Sequence, residues 1–261
     1  MLTVCAIMAG LVLGLACLSV YLGQRQTTLL SRPPLHGSAF LIEADLSGTP
    51  GVTNAMARIK ARLKNRFSKF GTRIYWEPVS ESRARISVPI ADARAGETAK
   101  NLISRRGFLE FRLVHENSDE LVRQGDLPPG YEALKSADDP RGGPPQAQSV
   151  LVKKEPERGL AGGIVKNATL VRGNLGEPQI DFSLNAESAA AFAEVTRENI
   201  GHRLAIVLDG QLYSAPVIQS PIETGHGQIT GHFDAREAAE LANLMEFPLP
   251  VPVTVLESNA Y

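Results

Sequence analysis

Apolar positions in this chain recur in three rhythms, and each predicts a different kind of element. The first is continuous. Leu2–Leu22 carries no charged residue, and about 20 such residues suffice to cross a bilayer core as a helix. The second is helical. Val52, Met56, Ile59, Leu63, Phe67 and Phe70 recur at three- and four-residue spacing and predict a helix over Gly51–Phe70. The opposite face of that helix is basic, with Arg58, Lys60, Arg62, Lys64, Arg66 and Lys69, and no acid lies between Asp45 and Glu77. The third rhythm is the short β-prone run, at Gly37–Asp45, Thr72–Glu77, Arg83–Ile90 and Phe108–Val114. A further helix near Ala93–Arg105 completes the order βαββαβ, which predicts a four-stranded antiparallel sheet with two helices on one face.

The C-terminal third is dense in punctuation. Asn185 caps a helix starting at Ala186, whose Ala189, Phe192 and Val195 share a face. Gly201 suits the left-handed C-cap. Asp209-Gly210 between Arg203–Leu208 and Gln211–Ile218 predicts a tight hairpin. Gly225–Phe233 reads as a short strand. Asp234 with Glu237 three residues on makes a capping box for a helix over Ala235–Met245. A final strand follows at Val251–Leu256. Asn117–Gly163, rich in Pro-Pro-Gly and Gly-Gly-Pro-Pro pieces, reads as a connector of turns or disorder.

Composition narrows the chemistry. The formal net charge is −1 and aromatics are 6% of residues, which argues against a nucleic-acid surface. Cys5 and Cys17 both lie in the apolar run, so the rest of the chain carries no disulfide, thiolate or cysteine-zinc chemistry. His226 and His232 flank a short strand without a cysteine or carboxylate at ligand spacing. Glu187, Glu194 and Glu198 approximate a solvated helix face rather than an acid–base pair, and Gly159–Gly163 lacks the Gly-Lys-Ser/Thr of a phosphate loop. No catalytic, cofactor-binding or metal-binding residue is assigned, and no cofactor is expected. Three readings of the apolar run stay open: an anchor over residues 1–23, a cleaved signal, or a lipoprotein leader ending at Ala16-Cys17. Its length and the lack of a basic start favour the anchor.

The stretch NIGHRLAIVLDGQLYSAPVIQSPIETGHGQITGHF, then EAAELANLM, then PLPVPVTVLE, resembles the large extracytoplasmic domain of SecD, a subunit of the bacterial Sec protein translocase. The likeness extends upstream through RISVPIADARAGETAKNLISRRGFLEFRLV, to roughly residues 36–257. It implies an α+β fold: an N-terminal transmembrane helix, a linker at 24–36, and a ferredoxin-like βαββαβ base at 37–116. A flexible connector at 117–150, an inserted head at 151–233 and a return helix and strand at 234–257 complete it. The implied role is non-enzymatic help in protein export at the inner membrane, with the head touching the emerging unfolded polypeptide. The implied partners are the Sec channel and a SecF-like subunit. Phe182, Leu184, Phe192, Leu212 and Tyr213 are the candidate polypeptide contacts. Arg58, Arg62, Arg66 and Lys69 are candidate contacts for anionic lipid or a protein partner. Arg25 and Arg32 follow the apolar run and none precedes it, which by charge alone places the globular part in the cytoplasm; the resemblance implies the opposite side and is followed here. The later membrane helices of the family have no counterpart before Tyr261, so proton coupling is expected elsewhere. A scaffold for a membrane complex, or a truncated translocase fragment, is the competing expectation.

Overall fold

The computed structural model describes residues 36–47, 54–90, 92–135, 149–174, 176–231 and 233–260. The apolar run, the linker before His36, Val52 and His232 lie outside the described residues. Among the described residues no helix is long and apolar enough to cross a membrane. The elements are, in order, β1 (Ser38–Ala44), α1 (Ala55–Lys69), β2 (Tyr75–Pro78), β3 (Arg83–Val88), α2 (Ala93–Ser104) and β4 (Leu109–Leu113). Next come α3 (Ser118–Gln124), β5 (Tyr131–Lys135), β6 (Ser149–Lys153), β7 (Ala161–Gly162), β8 (Val165–Arg172) and β9 (Pro178–Leu184). The chain continues with α4 (Ala186–Glu198), β10 (Leu204–Leu208), β11 (Gln211–Ser214), β12 (His226–Ile229), α5 (Ala235–Glu246) and β13 (Val253–Ala260).

The base is an antiparallel sheet in the order β13-β1-β3-β2. On β1, Phe40, Ile42 and Ala44 are buried while the residues between them are half-exposed, the period-two pattern of a sheet with one covered face. Register sets Phe40 opposite Ile86 and Ile42 opposite Ala84. Ile59, Leu63 and Phe67 of α1 and Ala99, Leu102 and Ile103 of α2 close that core. This is the expected split βαβ arrangement with one strand exchanged. The sequence reading makes Phe108–Val114 the fourth base strand; the structure gives that place to β13. All five residues of β4 are buried, whereas β13 is exposed over most of its length. A strand covered on both faces belongs between layers, and one covered on a single face suits an edge.

β4 instead joins the sheet β11-β10-β4-β7, beside a third sheet, β12-β9-β8. Between them lies the larger core, with Leu109, Phe111, Phe182, Phe192, Ile206 and Leu241. The connector is also corrected: α3 and the β5–β6 hairpin occupy part of it, and Val150 and Val152 cover Ala205, Val207 and Leu212 on the far side of β10 and β11. There the buried Arg112 meets Glu110 at 2.9 Å and also pairs with Glu132.

α5 ties head to base. Ala238, Leu241, Ala242 and Met245 enter the head core, and Leu244 enters the base core. The outgoing crossing at residues 105–108 runs beside the returning one at 247–249. Arg66, fully buried, donates to the carbonyls of Phe247 (2.8 Å), Leu102 (2.6 Å), Arg105 (2.7 Å) and Arg106 (2.8 Å). Burial pushes its guanidinium down to about 9. It therefore stays charged at neutral pH, its charge met by four carbonyl dipoles. Asp209, at φ 52 in the tight hairpin turn, accepts from the backbone N–H groups of Gly107 (3.1 Å) and Phe108 (2.8 Å).

Candidate functional site

The head carries an apolar groove of about 240 Å³. Phe111 of β4, Phe182 of β9 and Phe192 of α4 form its floor. The Phe111 ring lies 4.8 Å from that of Phe192 and 5.9 Å from that of Phe182, both tilted, a stable aromatic arrangement. One wall is Leu204 and Ile206 of β10; the other is the segment from Pro216 to Ile222. Gly227 makes the lip, because a Cβ there would fall 2.5 Å from the Phe182 ring.

The Pro216–Ile222 wall is held from both sides. Leu204 donates to the Pro216 carbonyl at 2.9 Å, and Ile218 donates to that of His202 at 2.9 Å. The Ile222 N–H donates to Thr196 Oγ1 of α4 at 2.9 Å. Pro216 and Pro221 supply no N–H, which keeps the wall from extending β11. Val217 stands on the rim with 45% of its surface exposed. β12, beside the groove, pairs with β9 alone among the described residues. The site is thus an aromatic floor, a fixed wall and a neighbouring strand edge, with no titratable side chain on the lining among the described residues. It offers shape and apolar contact rather than acid–base or nucleophilic chemistry.

The residues named from sequence divide. Phe182 and Phe192 line the groove floor on either side of Phe111 while belonging, each 3% exposed, to the head core. Leu184 lies in the head core and Leu212 in the separate core beneath the β5–β6 hairpin. Tyr213 is half-buried; its hydroxyl accepts from Arg105 at 3.0 Å, and burial raises its phenol. Of the basic set, Arg58 is exposed and Arg62 half-exposed. Lys69 is held by Glu246 at 2.5 Å and by the Ala168 carbonyl at 3.3 Å. Arg66 is buried, so as a surface contact it is corrected. The reading missed Phe111, Val217 and Gly227. Phe111 sat in a strand assigned to the base. Val217 and Gly227 become a rim only when the loop folds back over β10. Among the described residues no group of three His, Cys, Asp or Glu side chains is placed to hold a metal.

Residues 133–250, from within β5 through α5, match the family described as SecDF, P1 head subdomain. The protein translocase subunit SecD of Sebaldella termitidis is 47% identical over 228 residues, covering 86% of this chain and 47% of that protein. The chain is a member of the SecD/SecDF family. The translocase subunit SecDF of Thermus thermophilus is 33% identical over 233 residues, covering 86% of this chain and 30% of that protein. This SecD relative thus spans less than half the length of the curated proteins it matches. A crystal structure of SecDF in a super-membrane-facing form superposes with a TM-score of 0.67 at 29% identity, over 87% of this chain and 30% of that one. A second solved chain, of a membrane component SecDF that enhances protein export, gives 0.64 at 28% identity, over 84% of this chain and 98% of that one. The two curated relatives are translocase subunits by name, and the second solved protein is described as one that enhances protein export.

Proposed function

We propose that this chain is a membrane-anchored SecD-type domain on the outer side of the cytoplasmic membrane, where its head contacts the emerging polypeptide without enzymatic turnover. The observation that carries this reading is the apolar groove over Phe111, Phe182 and Phe192, open beside the edge of β12. An unfolded chain offers apolar side chains and unpaired backbone groups. The groove supplies a place for the first, and a strand edge with one partner supplies donors and acceptors for the second. The Sec channel and a SecF-like subunit are the partners this role implies, and Leu2–Leu22 is its anchor.

The test places a photo-crosslinking residue at Val217 in the full chain, in bacteria holding a secreted protein arrested in mid-export. Crosslinks to the arrested polypeptide from Val217, and none from Lys64 on α1, are expected. Equal yields at the two positions, or none at Val217, refute contact through the groove and leave a scaffolding role.

A further inference from the structure

We infer that the outer face of α1 is a docking surface for anionic phospholipid headgroups. Arg58, Lys60 and Lys64 are exposed and Arg62 is half-exposed. Among the described residues none of the four makes a salt bridge or side-chain hydrogen bond. The other two cations of the helix are engaged, Arg66 in the interior and Lys69 on Glu246. The free charge is thus concentrated in the middle of α1, from Arg58 to Lys64.

Its layout fits a flat charged surface. The outward line of the helix is small and polar, with Ala57, Ala61, Asn65 and Ser68 all exposed. At 100° per residue, Arg58 and Arg62 flank that line on one side and Lys60 and Lys64 on the other. Two rows of cations straddle a low ridge over about 9 Å of helix, so they can reach separate headgroups without a bulky side chain holding them off. The chain has a net charge of −1, so this is a local field rather than a global one. No acid lies between Asp45 and Glu77 in the sequence, and among the described residues none forms an ion pair with these four cations.

The occupant follows from charge and from the chain outside the described part. The apolar run ends at Leu22, and 13 residues (23–35) precede His36, a leash of at most about 45 Å. β1, with 7 residues, spans only about 24 Å. A base tethered on such a leash can lay its helical side against the bilayer. This step rests on the anchor reading of Leu2–Leu22 and not on the groove of the head.

The full chain is reconstituted into nanodiscs of phosphatidylcholine alone, or of equal parts phosphatidylcholine and phosphatidylglycerol. Acylation of lysines by an amine-reactive reagent is then followed by mass spectrometry. With phosphatidylglycerol, Lys60 and Lys64 should react about fivefold more slowly, the factor one headgroup contact per cation supplies. Lys154 and Lys166, exposed on the head, should not change. High salt should abolish the difference. The pair Arg58→Gln and Arg62→Gln should remove it while leaving the thermal unfolding curve in place. Equal rates in the two lipids overturn the inference, as does protection that needs an added acidic polypeptide. A chain that fails to enter the discs refutes the anchor reading instead; flotation with vesicles of the same two compositions then decides the lipid contact, and flotation indifferent to phosphatidylglycerol overturns it.

Discussion

Arg66 shows how far one side chain can depart from its type. It lies three residues after Leu63 and seven after Ile59, on the apolar stripe of α1. Its charge set it with the basic face in sequence, but its spacing is that of the stripe, and the structure buries it. Its fork reaches four carbonyls from α2, the outgoing crossing and the returning one. Removing such a donor strands buried acceptors. Arg66→Met should lower unfolding stability by about 3–5 kcal/mol, the range for breaking a buried charged network, read from the urea midpoint. Arg58→Gln, on the exposed side, should stay within about 0.5 kcal/mol. Gly107 is as constrained: at φ 76 an added Cβ would fall 2.2 Å from the Leu244 carbonyl oxygen. Gly107→Ala should cost about 3 kcal/mol, combining left-handed strain with a backbone clash. Nothing adjacent to Gly107 in sequence signals this, because Leu244 arrives from across the fold.

Among the elements, caps and tight turns were legible and sheet partnership was not. Asp234 accepts from the N–H groups of Arg236 and Glu237, both at 2.8 Å, and Asn185 accepts from Ser188 at 2.9 Å. These bonds join neighbours a turn apart, so local sequence contains them. Asp234→Ala should cost about 1 kcal/mol and raise hydrogen exchange first in the opening turn of α5, leaving β1 protected. The Asp209-Gly210 hairpin formed as its residues dictate, with φ 52 and 78. The pairing of β4 did not follow from its position after α2. Its register runs Leu109 against Leu208 and Leu113 against Leu204, partners nearly a hundred residues away. Its sequence, Leu-Glu-Phe-Arg-Leu, alternates like a strand covered on one face, and only the structure buries all five residues between layers. Leu212 illustrates the same point, since it packs with Val150 and Val152 rather than into the groove. Leu212→Ala should destabilise by about 2–4 kcal/mol without selectively weakening polypeptide crosslinks from Val217.

At the scale of the molecule, the base is closed by β13, so the chain leaves the base after α2, builds the head and returns through α5. Ser38 pairs with Ala260, which brings the two ends of the described chain to one end of the base sheet. Two cores meet along α5, and two surfaces result: an apolar groove on the head and a basic helix on the base. Val217→Asp tests the first at this scale. The side chain is on the rim, so stability should change by no more than about 0.5 kcal/mol, while crosslinking of an arrested polypeptide to a probe at Gln219, exposed on the same wall, and export of the same polypeptide without the arrest should both fall. A matching loss of stability would point to folding instead of contact.

By itself the sequence determined the elements whose cause is local: the amphipathic α1, the caps of α4 and α5, the Asp-Gly hairpin, and the family through its run of glycines and prolines. It also placed Phe182 and Phe192 among the candidate contacts. Only the tertiary structure decided which strand closes the base, which candidates line a groove and which sit in a core, and which cations of α1 remain free. Each of those depends on residues that meet across long separations. Hydrogen bonding along a strand edge and the filling of a core are settled by whichever partner arrives, and composition leaves several partners equally suitable.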